Sequence, residues 1–255
     1  MARESVTIVK HREALAHLGL TALAGARAFR GELIKNHRGR RDIFRIPIHA
    51  EDGRPVTLFL KRNLIPYRKH GLASLLRRAR VWSAARVEWE NCRALEAAGL
   101  PTAPLVAFGE ECGLLWERYS FIITEAAPGD ETLADFIRTC GDGARRRRVI
   151  EGLARLVRRL HEAGLATPDL FARHLFLSWR DGQPEFCLID MARLDRVQPV
   201  PDRLRARDLA ALNLTAPLRD VSWRERFRFL HGYAGRDARR LRVSIERRVR
   251  HLLSK

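Results

Sequence analysis

Lysine is nearly missing from this chain. Of 48 basic residues only Lys10, Lys35, Lys61, Lys69 and Lys255 are lysine, and the other 43 are arginine. Against 30 acidic residues this gives a formal net charge of +18 over 255 residues. Two explanations fit the arginine excess: a coding bias with no functional demand, or a polyanionic partner such as an anionic membrane surface, a phosphorylated glycan or nucleic acid. Aromatic residues make up only 7%, and no RNP, zinc-finger or KH signature accompanies the charge. No dedicated nucleic-acid binding is therefore expected. The four cysteines (Cys92, Cys112, Cys140 and Cys187) lack C-x-x-C spacing, which argues against a zinc site or a disulfide framework. No apolar run approaches the roughly 20 residues that cross a bilayer, and Met1 to Lys10 lacks a signal-peptide core. A soluble, reduced, cytosolic chain is expected. With 46% apolar and 31% charged residues, general disorder is excluded. The length suits one large domain or two small lobes.

No internal repeat or low-complexity linker is present. Short strands are predicted at Gly31–Asn36 and Ile43–His49, flanking the basic turn His37-Arg38-Gly39-Arg40-Arg41. A second turn at Glu51–Pro55 leads into the apolar, β-branched run Val56–Leu60. Helix is predicted over 71–98, because Leu72, Leu75, Leu76, Ala79 and Trp82 recur at three- and four-residue steps. Val87, Cys92, Leu95 and Ala98 continue that face until Gly99 and Pro101 end it. The segment Leu64–Arg80 is basic and amphipathic, suited to packing on the small lobe or to docking on an anionic membrane or glycolipid. Strands follow at Leu105–Phe108 and Ser120–Glu125. After Pro128-Gly129 come helices at Leu133–Thr139 and Ala144–Ala163, a loop at Gly164–Arg173, strands at Leu175–Ser178 and Phe186–Ile189, and helix again from Asp202. The arginine runs, including Arg145–Arg148, read as solvated helix faces. The pattern predicts an α+β fold of two lobes, a strand-rich one at 1–126 and a helix-rich one at 127–255, with the boundary near Ala127.

Scarce lysine draws attention to Lys61, which directly follows the strand Thr57-Leu58-Phe59-Leu60. Such a lysine either snorkels to the surface or, in a nucleotide-dependent phosphotransferase, reaches the phosphates while a helix glutamate orients it. Glu88 is the candidate partner, since Cys92 and Leu95 fill the apolar positions one and two turns later; Glu90 projects away from that face. Further on, Asp169 sits in a loop, His174 lies five positions later, a short hairpin follows, and Asp190 closes a second strand. Phosphoryl transfer needs positioning and neutralisation of phosphate charge, so one carboxylate must face the acceptor hydroxyl while another holds Mg²⁺. Strand-end acids also serve as helix caps and turn formers, which is the other reading of Asp190 taken alone.

With these pieces in place the sequence resembles the lipopolysaccharide core kinases of the Kdo/WaaP type, within the protein-kinase-like superfamily. The matching segments are His37–Arg40, Leu58–Arg62, Ala85–Trp89 through Pro104, Asp169–His174, Ile189–Arg193 and Arg207–Leu212. The resemblance implies a bilobal protein-kinase-like fold that uses ATP and Mg²⁺. In it Lys61 binds phosphates, Glu88 pairs with Lys61, Asp169 is the catalytic base, Asp190 binds Mg²⁺ and His174 binds metal or organises the loop. Asp208 supports the catalytic loop from below. Arg38 and Gly39 belong to the hairpin that covers the nucleotide or, equally, form a solvated tip. Adenine is expected against backbone groups of Thr124-Glu125-Ala126-Ala127, Glu125 and Ala127 foremost. The sequence departs from the superfamily where H-R-D reads Thr167-Pro168-Asp169, so two bracing side chains are missing and Pro168 supplies stiffness in their place.

The expected function is an ATP-dependent sugar kinase acting on an inner-core sugar (Kdo or heptose) of lipopolysaccharide or another lipid-linked sugar acceptor. It is expected to be cytoplasmic and peripheral on the anionic inner-membrane surface. The alternatives are a small-molecule phosphotransferase of the aminoglycoside/choline kinase kind, against which the basic charge argues, and a pseudokinase scaffold, which the missing H-R pair favours.

Overall fold

The computed structural model describes residues 3–66, 81–216 and 219–253. The chain divides into two compact units, Met1–Arg93 with Ala103–Ala126, and Ala94–Thr102 with Ala127–Lys255. The α+β class expected from the pattern is what is observed.

The first unit is built on an antiparallel sheet of β1 (Arg3–Ile8), β2 (Glu32–His37), β3 (Arg41–His49), β4 (Pro55–Asn63), β5 (Leu105–Cys112) and β6 (Glu117–Glu125), in the order β1-β5-β6-β4-β3-β2. Alternation explains the inner strands. Phe44, Ile46 and Ile48 of β3 and Val56, Leu58 and Leu60 of β4 face one apolar cluster. Because the side-chain period is two, Lys61 falls on the opposite face from Leu60. Arg62 returns to the buried face, where its Nε and Nη2 donate to the two oxygens of Asp42 at 2.7 Å each. Its Nη1 donates to the carbonyls of Ala26, Arg27 and Phe29, closing the end of the short helix α2 (Leu23–Ala28). The strand β1 and the helices α1 (Arg12–His17) and α2 were not expected. They show little periodicity, yet Leu15, Leu20 and Ala26 are fully buried in the same cluster.

The helix expected over 71–98 is described as α3, Ala84–Ala97; residues 67–80, and with them most of the amphipathic Leu64–Arg80 stretch, lie outside the described residues. The described helix starts late because two side chains cap it. Ser83 Oγ accepts from the Arg86 N–H at 3.0 Å, and buried Glu117 accepts from the Ala84 N–H at 2.8 Å. Gly99, at φ 65°, ends it where expected.

The second unit contains α4 (Leu133–Thr139), α5 (Gly143–Glu162), α6 (Asp202–Thr215), α7 (Trp223–Ala234) and α8 (Ala238–Leu253). Two small sheets accompany them: β7 (Glu131–Thr132), β9 (Leu175–Arg180) and β10 (Gln183–Leu188) in one, β8 (Leu165–Ala166) and β11 (Asp195–Arg196) in the other. The β9–β10 hairpin turns at Asp181 and Gly182, both with positive φ, as tight hairpins require. Gly129 is held at φ 132°, and a Cβ there would lie 2.9 Å from the Leu177 carbonyl oxygen, so only glycine fits. The arginine run in α5 is not uniformly a solvated face. Arg146 is half-buried and donates to Glu225 at 2.6 Å, to the carbonyls of Ile137 and Cys140, and to that of Asp220. A guanidinium's five donors suit it to collecting stray carbonyls, which an apolar residue would leave unsatisfied.

Candidate active site

In the first unit β4 projects Lys61 from the face opposite the apolar cluster, and α3 carries Glu88 towards it. Lys61 Nζ lies 2.7 Å from Glu88 Oε1, and Arg41 Nη2 approaches the other oxygen at 3.4 Å. Glu88 is buried, so its negative charge needs these cations. Arg38 and Gly39 occupy the β2–β3 turn at φ 51° and 70°; both are exposed, and nothing lies within 4 Å of a Cβ built on Gly39. At the end of β6 the Glu125 N–H donates to the Pro104 carbonyl, and its carboxylate takes Lys10 at 3.1 Å and His11 at 3.2 Å. The Ala126 N–H is also spent within this unit, on the Thr57 carbonyl. Ala127 begins the next segment of the second unit.

In the second unit the loop after β8 carries Asp169, and a web of buried groups fixes it. Fully buried Asp208 on α6 accepts the Thr167 N–H at 2.6 Å, Arg207 Nε at 2.8 Å and His161 Nε2 at 3.2 Å. The other nitrogen of His161 meets the Tyr233 hydroxyl at 2.6 Å. Thr167 Oγ1 donates to the Arg193 carbonyl at 2.8 Å and lies 3.2 Å from the Asp169 N–H. The bracing that H-R would supply thus comes from Thr167, Asp208 and His161, in addition to any stiffness from Pro168. The family resemblance pointed to Asp208 but to none of the Thr167, His161 and Tyr233 contacts, which join residues up to 72 positions apart.

Asp169 is buried, with both carboxylate oxygens engaged by Arg193, one by Nε at 2.7 Å and the other by Nη2. His174 Nδ1 lies 3.0 Å from the Asp169 carbonyl oxygen. A carbonyl only accepts, so Nδ1 carries the proton and Nε2 presents a lone pair. Burial holds the His174 pKa below the ordinary histidine value, favouring that neutral form despite the nearby acids. Nε2 is 3.8 Å from Asp190 Oδ2. Asp190 sits at φ 59°, a left-handed conformation that aspartate tolerates better than most side chains, and its carboxylate is 39% exposed. Among the described residues no group of three or more His, Cys, Asp or Glu side chains could hold a metal. The structure therefore brings together Lys61 with Glu88, and separately Asp169 with His174, Asp190 and Arg193. It also shows no helix long and apolar enough to cross a membrane among the described residues.

A strand lysine paired with a helix glutamate, and a braced loop acid followed by a hairpin and a second acid, are the parts of a protein-kinase-like phosphotransferase. Residues 57–233 match the model of the "Lipopolysaccharide kinase (Kdo/WaaP) family". The chain belongs to that family, and it is an ATP-dependent kinase with an alcohol group as acceptor. It is 30% identical over 167 residues to the lipopolysaccharide core heptose(I) kinase WaaP of Pseudomonas aeruginosa, an alignment spanning 62% of each protein. To the protein of the same name from Escherichia coli K12 it is 27% identical over 260 residues, spanning 97% of this chain and 94% of the relative. A solved structure of "WaaP in complex with acyl carrier protein" matches with TM-score 0.69 and 25% identity, covering 96% of this chain and 99% of that one.

Proposed function

We propose that this chain transfers the γ-phosphoryl group of ATP to a hydroxyl of an inner-core sugar of lipopolysaccharide. The names of its relatives favour heptose over Kdo. The observation that carries the assignment of the base is the bracing of the Asp169 loop through Thr167 and Asp208, which fixes the backbone from which the carboxylate projects. In the reaction the acceptor oxygen bonds to the γ-phosphorus as the bond to the β-phosphate bridging oxygen breaks; Asp169 takes the hydroxyl proton, and ADP leaves. Lys61, held by Glu88, pairs with nucleotide phosphates, and Arg38 and Gly39 cover them. Glu125 and Ala127 offer backbone groups to the adenine. In this reading 1–126 is the nucleotide-covering lobe and 127–255 the catalytic and metal-binding lobe.

Asp190 offers a hard carboxylate oxygen, which suits Mg²⁺, an ion that takes one or two carboxylates and completes its shell with phosphates and water. Mg²⁺, when bound, neutralises phosphate charge. His174 is a poorer match for so hard an ion, and its bond to the Asp169 carbonyl gives it loop-organising work. The +18 charge suits an acceptor carrying phosphates and acid sugars on a lipid, reached at the anionic cytoplasmic face of the inner membrane. An acyl carrier protein, with which the similar WaaP structure is in complex, is a second partner to test by co-purification.

Mass spectrometry of lipopolysaccharide from a deletion strain should show the core short of one phosphate, restored by the parent gene and not by Asp169→Asn. An unaltered core would remove the glycan acceptor. An Asp169→Asn protein that turns over normally would remove the base.

A further inference from the structure

Asp169 does not stand alone at the end of its loop. The Nε and Nη2 edge of Arg193 is laid along both of its oxygens, a side-on fork. Yet the Arg193 side chain is 64% exposed, whereas the Asp169 side chain is 12% exposed. The backbone of Arg193 is fixed as well, since its carbonyl accepts from Thr167. One residue is therefore tied by its main chain to the bracing of the loop and by its side chain to the carboxylate itself. A guanidinium has five N–H donors and the carboxylate occupies two on one edge, so three donors remain on a side chain that is largely exposed. Neither acid of this cluster was read from the sequence as needing such a partner.

We propose that Arg193 both positions Asp169 and binds the phosphoryl group in transfer through its outer edge. This rests on the assignment of Asp169 as the base. An acceptor hydroxyl bonded to Asp169 must lie about 3–3.5 Å from the phosphorus it attacks. A cation clamped to the same carboxylate then stands beside the equatorial oxygens over which the transition-state charge spreads. Charge stabilisation at those oxygens is the main protein contribution to such a reaction, and an arginine supplied within the same chain is one way to provide it. The two oxygens of Asp169 keep further lone pairs for the acceptor, so the fork does not block the base. It fixes the carboxylate plane and makes the site less negative toward an incoming triphosphate.

The test compares parent, Arg193→Ala and Arg193→Lys, with Arg193→Gln replacing the alanine variant should that fail to fold. Removing the guanidinium should lower kcat by roughly 10³-fold with little change in KM for ATP, while lysine, a cation without the fork, should fall between. Stabilisation by ADP with aluminium fluoride and Mg²⁺, beyond that by ADP alone, should appear in the parent and vanish in Arg193→Ala. This second readout needs no acceptor. A kcat within tenfold of the parent, a rise in kcat, or an undiminished response to aluminium fluoride would each overturn the role of Arg193. If those results came with an inactive Asp169→Asn, the proposed function would survive. If Asp169→Asn were fully active while Arg193→Ala lost both readouts, the arginine would stand and the base would not.

Discussion

Replacing Asp208 with alanine probes the bracing of the catalytic loop directly. The carboxylate is fully buried and satisfies three donors: the Thr167 N–H, His161 Nε2 and Arg207 Nε. Arg207 keeps a second acid, Asp195, at 2.6 Å, so its loss is the smallest. The Thr167 N–H and the His161 N–H are left buried without acceptors, at about 1–3 kcal/mol each, or about 4 kcal/mol together. For a chain of this size that corresponds to a fall in Tm of about 8–16 °C. Activity should fall further than stability alone explains, because a loop displaced by about 1 Å costs on the order of a hundredfold in rate. Asp208→Asn separates the two effects. Its amide oxygen still accepts from Thr167, but its NH₂ confronts Arg207 Nε, so an intermediate Tm with partly retained turnover is expected. Thermal unfolding and initial rates of phosphoryl transfer, measured on the same preparations, decide the matter. An alanine variant with Tm within about 2 °C of the parent and undiminished kcat would refute the assignment of Asp208 as the anchor of the loop.

Two further perturbations test the framework. Asp42→Ala strips the buried Arg62 guanidinium of its bidentate partner, which should cost about 3–5 kcal/mol; Asp42→Ala together with Arg62→Met should recover part of that loss in urea unfolding, and no recovery would mean the cost is not an uncompensated charge. The Glu225 carboxyl is pushed up by burial, but the bonds from Arg146 and Ser222 outweigh this and hold it at about 2, below its ordinary 4.5. A depressed carboxylate stabilises the fold fully above the ordinary value and loses that contribution as pH falls towards about 2. The Tm difference between parent and Glu225→Gln should therefore be constant above pH 4.5 and shrink steadily below it; a difference independent of pH would rule out the charged pair with Arg146.

Several parts of the site were legible before any coordinates. The scarcity of lysine and its place directly after Thr57–Leu60 singled out Lys61, and Glu88 followed from its place one turn before Cys92. Spacing alone paired Asp169 with His174 and with Asp190, which the structure brings together. Other parts were not. Asp208 was expected below the loop, but its partner His161 and the Tyr233 behind it are contacts between elements that no periodicity links. The arginine excess allowed only a choice between coding bias and a polyanionic partner. Arg62, Arg146 and Arg158 show a third use, collecting helix-end and loop carbonyls within the fold.

Local chemistry is carried by the chain itself. Alternation, capping residues and turn-forming glycines depend on near neighbours, so the strands, most helices and the identities of the reactive side chains are decided by the order of residues. Which buried donor meets which acceptor is not decided there, because that depends on distances between segments far apart in the chain. Tertiary structure alone laid Arg193 along Asp169 and tied the Thr167 N–H to Asp208, since a buried charge is tolerable only where the fold delivers a partner to it.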